Sequence, residues 1–73
     1  MHNTLGIEHR HFKGGRYFLL GHARHEQSME MMVVYLDPST GLVWTREAHV
    51  WNALVEWPDG EMRPRFVPID PLC

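Results

Sequence analysis

Two sets of side chains in this chain have the types and spacing that bear on chemistry. One is Arg24, His25 and Glu30, and the other is Trp44 and Arg46 together with Arg63 and Arg65 on either side of Pro64 and just before Phe66. A guanidinium beside an exposed ring clamps a phosphate while the ring stacks on a base, so basic residues interleaved with aromatic ones suit an anionic or aromatic ligand. The competing arrangement buries the rings and lays the arginines over them, or pairs the arginines with Glu26, Glu30, Glu56 and Glu61. His25 and Glu30 flank a turn that would bring their side chains together as a general acid–base pair requires, although the same two groups also serve to hold a turn.

Other chemistries have less to stand on. Six histidines are present, with His9 and His11 on one strand face, but His22 and His25 would point to opposite faces and no internal thiolate completes a site. Neither a metal nor an organic cofactor is expected, and no catalytic residue is assigned. Gly14 and Gly15 lack the spaced glycines of a phosphate loop and read as a hairpin pair. The single cysteine, Cys73, closes the chain, where no following residue can position it as a nucleophile and no disulfide partner exists. A reducing compartment fits that usage.

Turns punctuate the elements that must position these groups. Gly14-Gly15 predicts a hairpin between a short strand at His11-Phe12 and a longer one from Tyr17, with Tyr17, Leu19, Gly21 and Ala23 on one face and Phe18, Leu20, His22 and Arg24 on the other. A polar turn at Glu26-Gln27-Ser28 precedes the apolar, β-branched run from Met31 to Leu36, which predicts a central strand. Asp37-Pro38-Ser39-Thr40-Gly41 is a strong turn, and the chain returns through Leu42 to Arg46. A helical turn at 48–51 followed by a strand is favoured, then a hairpin at Pro58-Asp59-Gly60 and a closing strand at Arg65-Phe66-Val67, before Pro68 and Pro71 stop regular pairing. The fold class is therefore mainly β: a small antiparallel five-stranded barrel with at most one short helical turn. Residues 1–9 read as a flexible arm, 10–69 as the domain and 70–73 as a tail.

At 73 residues the chain is one small domain, and 44% hydrophobic against 22% charged residues is too apolar for intrinsic disorder. Its formal charge of −2 supplies no domain-wide attraction for a polyanion, so a nucleic-acid role needs a local basic patch. Residues 1–8 show no basic start followed by an apolar run, and no apolar stretch reaches spanning length, so a cytoplasmic protein without a membrane partner is expected. Trp51, Trp57, Met29, Met31 and Met32 exceed what so small a core readily encloses. A leftover apolar patch would mark a protein partner or a homodimer contact.

The segments Arg10-His11-Phe12-Lys13-Gly14-Gly15-Arg16-Tyr17, Gly21-His22-Ala23-Arg24-His25, Val33-Val34-Tyr35, Trp44-Thr45-Arg46 and Pro64-Arg65-Phe66 resemble a bacterial family, the domain of unknown function 1653. The likeness runs from about Arg10 to Ile69. His25 and Glu30 match the family pattern, while Glu26-Gln27-Ser28 and Glu47 depart from it. The resemblance implies a compact β-rich domain similar in outline to Src-homology-3-like barrels and implies no reaction. Its shared positions fall on His25, Glu30, Tyr35, Trp44, Arg46 and Arg65. The leading expectation is a non-catalytic binding module using Arg24, His25, Glu30, Trp44, Arg46 and Arg65 for an anionic or aromatic ligand, a nucleotide or RNA among them. Alternatives are a protein–protein or homodimerisation module, and a small hydrolase-like enzyme using His25 and Glu30.

Overall fold

The computed structural model describes residues 6–69. Its elements are β1 (Glu8–His11), β2 (Arg16–Arg24), β3 (Met31–Asp37), β4 (Leu42–Glu47), α1 (Ala48–Trp51), β5 (Leu54–Glu56), β6 (Met62–Pro64) and β7 (Phe66–Pro68). The protein is mainly β with one short helix. Five strands form one antiparallel sheet in the order β4-β3-β2-β1-β7, and β5 and β6 make a separate two-stranded hairpin. The large sheet is open, with β4 and β7 as its two edges and no ladder joining them among the described residues. The described residues hold seven strands where a five-stranded barrel was expected; the strand after the helical turn is β5, and it pairs with β6, which was not expected, in a hairpin apart from the large sheet.

Local chemistry accounts for the turns. Asp37 Oδ1 accepts from the Ser39 N–H at 3.0 Å and the Ser39 hydroxyl at 2.6 Å, and Gly41, at φ 78°, donates its N–H to the Asp37 carbonyl at 2.8 Å. The first hairpin divides its two glycines by purpose. Gly14 adopts φ 103°, whereas Gly15 has no such backbone demand; a Cβ there would sit 2.9 Å from Cε2 and Oη of Tyr17. Gly15 is small because a ring lies over it, so only Gly14 of the pair is required by backbone conformation.

A bulge corrects the face assignment of β2. Leu19 pairs with Tyr35 and His22 pairs with Val33, so the register shifts between Leu19 and Gly21 and Leu20 is the extra residue. Val33 and Tyr35 share one face of β3, hence Leu19 and His22 do too, across a three-residue spacing that a regular strand forbids. Gly21 and Ala23 therefore leave the face of Leu19. The bulge also bends the strand and increases its twist.

The core lies on that face. Leu19, Val33, Tyr35, Trp51 and Phe66 are buried, with Tyr17 and Ala48 packed against them. Trp51, carried inward by α1, stacks on Phe66 with ring centroids 3.8 Å apart and planes 7° from parallel. Burying two such rings contributes several kcal/mol, of order 2–3 each by area. Trp51 is therefore enclosed rather than left as a surface patch, and Trp57 is half-buried with its indole N–H on the Pro64 carbonyl at 3.0 Å. Met29 and Met31 do remain exposed, along with Leu42, Val43 and Trp44.

The arm assigned to 1–9 overlaps this architecture. Glu8 and His9 are paired residues of β1, His9 is buried, and Gly6 donates to the Leu19 carbonyl at 2.6 Å. Residues 1–5, and the tail at 70–73 with Cys73, lie outside the described residues. No helix among the described residues is long and apolar enough to cross a membrane.

Candidate functional site

Antiparallel partners share a face, and this rule places two of the singled-out residues side by side. Trp44 pairs with Tyr35 and Arg46 with Val33, so both project from β4 toward the core side of the sheet, two residues apart. The spacing along the strand is about 7 Å. Trp44 is about half exposed and Arg46 half-buried. The Arg46 Nε is fully enclosed yet has no hydrogen-bond partner among the described residues, an uncommon condition for a buried donor. Among those residues no carboxylate lies within salt-bridge distance of Arg46, Arg65 or Lys13.

Arg65 arrives from the other edge of the sheet. Its backbone N–H donates to the Ala53 carbonyl at 2.8 Å, and its Nε donates to the Val50 carbonyl of α1 at 3.2 Å. Its guanidinium lies 5.3 Å from the centre of the Phe12 ring. These contacts hold the group by its Nε and leave its terminal nitrogens without a protein partner among the described residues.

Beside Arg65, on the same Phe12 ring, stands His11, the last residue of β1. Its ring is 4.7 Å from those of Phe12 and Phe66 and 6.2 Å from Tyr17. Nδ1 accepts from the Lys13 N–H at 3.2 Å, so the neutral imidazole carries its proton on Nε2. Burial holds the His11 pKa below the ordinary 6.5, and the positive charges of Arg65, Arg46 and Lys13 push it further the same way. Lys13 and Arg65 both lie over the Phe12 ring, at 5.7 and 5.3 Å from its centre, beside the His11 imidazole. His9, on the same face, is buried against Trp51 at 5.4 Å and donates Nδ1–H to the Ile7 carbonyl at 2.9 Å; burial lowers its pKa as well.

Arg24, His25 and Glu30 form a separate cluster at the far end of the β2–β3 hairpin. Arg24 pairs with Met31, two rungs beyond the Val33 rung that carries Arg46, and donates Nη1–H to the Met29 carbonyl at 2.9 Å. The His25 N–H donates to the Glu30 carbonyl at 2.8 Å, and His25 Nδ1 accepts from the Ser28 N–H at 3.2 Å. Ser28 Oγ in turn accepts the Glu30 N–H at 3.2 Å. The imidazole and carboxylate make no bond with each other among the described residues, so the pair meets through its backbone and a serine. Every contact here closes the turn.

His11, Lys13 and Tyr17 were not among the expected site residues. Their signal was His11 alternating with His9 beside a basic hairpin, which reads equally as a core face. A groove of about 460 Å³ lies elsewhere, lined by Arg10, Trp57 and Arg63 among others; Arg63 is already occupied by a two-pronged contact to Asp59 at 3.0 and 2.7 Å. No three residues of the His, Cys, Asp or Glu type come together among the described residues in a way that could hold a metal ion.

An antiparallel β domain with one helical turn and a basic face set over aromatic rings is the class that fold and side chains define. Residues 7–68 match a family model described as a protein of unknown function (DUF1653), and the chain belongs to that family. It is also similar to the crystal structure of a protein belonging to DUF1653 from Bordetella bronchiseptica, at 32% sequence identity and a TM-score of 0.73, over 88% of this chain and 85% of that one. No curated protein matches the chain.

Proposed function

We propose that this domain is a non-catalytic binding module that holds an anionic ligand with a planar ring, a nucleotide or RNA segment, across His11, Trp44, Arg46 and Arg65. The observation that carries the reading is that Arg46, Arg65 and Lys13 have no carboxylate within salt-bridge distance among the described residues. The terminal nitrogens of Arg46 make no hydrogen bond among the described residues and can take an oxyanion, and Trp44 stands two residues away on the same strand face to stack a base. Arg24, His25 and Glu30 enter this reading as the turn that fixes the β2–β3 hairpin. With His25 and Glu30 so engaged, nothing favours the hydrolase alternative.

The same geometry supports the finer Src-homology-3-like architecture. On a flat sheet Arg46 of β4 and His11 of β1 would stand three strand spacings apart, about 14 Å. A sheet curled toward closure, with β7 beside β1 and a helical turn after β4, would bring them nearer to each other.

Calorimetric titration with adenosine 5′-monophosphate and with adenosine tests the proposal. The phosphate-bearing compound should bind more tightly, and Arg46→Ala and Arg65→Ala should each weaken it at least tenfold, about 1.4 kcal/mol. Equal affinity of the wild type and both variants would sink the reading. A second reading, self-pairing or a protein partner at the exposed β4 edge, draws on Leu42, Val43 and Trp44.

A further inference from the structure

The groove of about 460 Å³ is lined from the β7 edge of the large sheet by Arg10, Val67, Pro68 and Ile69, and from the β5–β6 hairpin by Trp57, Asp59 and Arg63. Hydrogen bonds within the hairpin set its side of the groove. The Trp57 indole N–H donates to the Pro64 carbonyl at 3.0 Å, which holds the ring, and the Arg63 guanidinium lies 5.7 Å from the ring centre. Asp59 is fully engaged. Its Oδ1 accepts from the Glu61 N–H and from Arg63 Nη1, both at 3.0 Å, and its Oδ2 accepts from Arg63 Nη2 at 2.7 Å. Asp59 and Arg63 therefore cancel, and the charge left over in the lining is that of Arg10.

Arg10 itself has no such partner. On β1 it pairs with Val67 of β7 on one side and with Arg16 of β2 on the other, so the two arginines leave the sheet by the same face, directly opposite each other. Like charges in that position destabilise a sheet. Glu8 reaches Arg16 at 3.9 Å, and no carboxylate among the described residues lies within salt-bridge distance of Arg10. An anion seated in the groove offsets this repulsion.

We propose that the groove binds a small aromatic carboxylate, with the carboxylate on Arg10 and the ring against Trp57 and Val67. One uncompensated cation calls for one negative charge, and a guanidinium matches a carboxylate through two parallel N–H···O bonds. The indole N–H is already engaged, so Trp57 offers its ring surface alone, and Val67, Pro68 and Ile69 add apolar surface beside it. The volume lies in the range of small-molecule sites. A phosphate monoester brings a second charge for which this lining holds no second unpaired cation. The groove uses neither Arg46 nor Arg65, so it stands or falls apart from the binding reading above.

The test titrates the intact, isotope-labelled chain with naphthoate and with neutral naphthamide, following backbone and indole N–H resonances. Naphthoate should bind about fivefold more tightly than naphthamide, with the largest shifts at Val67, Ile69 and the Trp57 indole. Added salt should weaken naphthoate and spare naphthamide. Arg10→Gln should erase the difference between the two compounds. Val67→Glu, which sets a carboxylate opposite Arg10, should block naphthoate, and Arg46→Ala should leave it unaffected. Equal affinity for the two compounds, undiminished naphthoate binding in Arg10→Gln or Val67→Glu, or shifts centred on other residues overturns the proposal. So does an absence of naphthoate binding at millimolar concentration, or its loss in Arg46→Ala.

Discussion

At the scale of single residues, the decisive feature is a polar atom that packing has left without a partner. Arg46 Nε is enclosed, and an orphaned buried donor costs about 1–3 kcal/mol, so Arg46→Met should remove that cost with similar side-chain bulk. The expected result is a thermal midpoint raised or unchanged, together with loss of nucleotide binding. A midpoint several degrees lower would mean that Arg46 is structural cement. Met29 offers a second residue-level prediction. It sits at φ 63°, the only non-glycine with positive φ among the described residues, at the corner where Arg24 and His25 close the turn. Relief of the left-handed strain outweighs the entropy lost by glycine, so Met29→Gly should stabilise by about 0.5–1 kcal/mol in denaturant unfolding. Destabilisation would show instead that the thioether contributes more than the backbone costs.

At the scale of elements, α1 is only four residues long, yet it delivers the ring at the centre of the core. Trp51→Ala empties the slot between Phe66, Tyr35 and His9 and should cost about 3–5 kcal/mol, enough to leave a domain this small largely unfolded. Strand edges make a different prediction. β7 is flanked and ended by Pro64 and Pro68, which cannot donate to another strand, whereas β4 has no proline or bulge along its free edge and exposes Leu42, Val43 and Trp44. Concentrated protein should therefore self-associate through β4. Val43→Lys should suppress the rise in mass seen by sedimentation, and an unaltered rise would place the contact elsewhere.

Across the whole molecule, charge is distributed against its own total. The chain carries a formal charge of −2, but Arg46, Arg65 and Lys13 have no carboxylate within salt-bridge distance among the described residues. Binding there should weaken steeply with added salt even though the protein as a whole repels polyanions. Stability should depend on pH through two histidines. His9 and His11 both have folded-state pKa values below the ordinary 6.5, so the unfolded chain takes up their protons first as pH falls. Their contribution to stability is complete above about pH 6.5 and is lost as pH drops through the lower folded values. Thermal midpoints should therefore be flat from pH 8 to 7 and decline toward pH 5; a midpoint that rises over that interval contradicts the burial of these rings as neutral groups.

Local signals were enough to read most of the elements from the sequence. The apolar, β-branched run became β3, the Asp-Pro-Ser-Thr-Gly stretch became the turn before β4, and the helical turn at Ala48–Trp51 came out as read, because each depends on neighbours within a few residues. Family membership was legible for the same reason, through motifs carried in order along the chain. Other features depended on contacts between distant segments. The bulge at Leu20 re-aimed β2, Tyr17 over Gly15 explained the second glycine, and β6 emerged only because β5 was there to pair with it. Of the six expected site residues, Trp44 and Arg46 share one face of β4, Arg65 lies over the Phe12 ring beside His11, and Arg24, His25 and Glu30 fall at another turn. Spacing along a chain determines which face a side chain leaves by. How near an arginine on one edge of a sheet comes to one at the other edge is decided by how far the sheet curls, a property that no local stretch of residues contains.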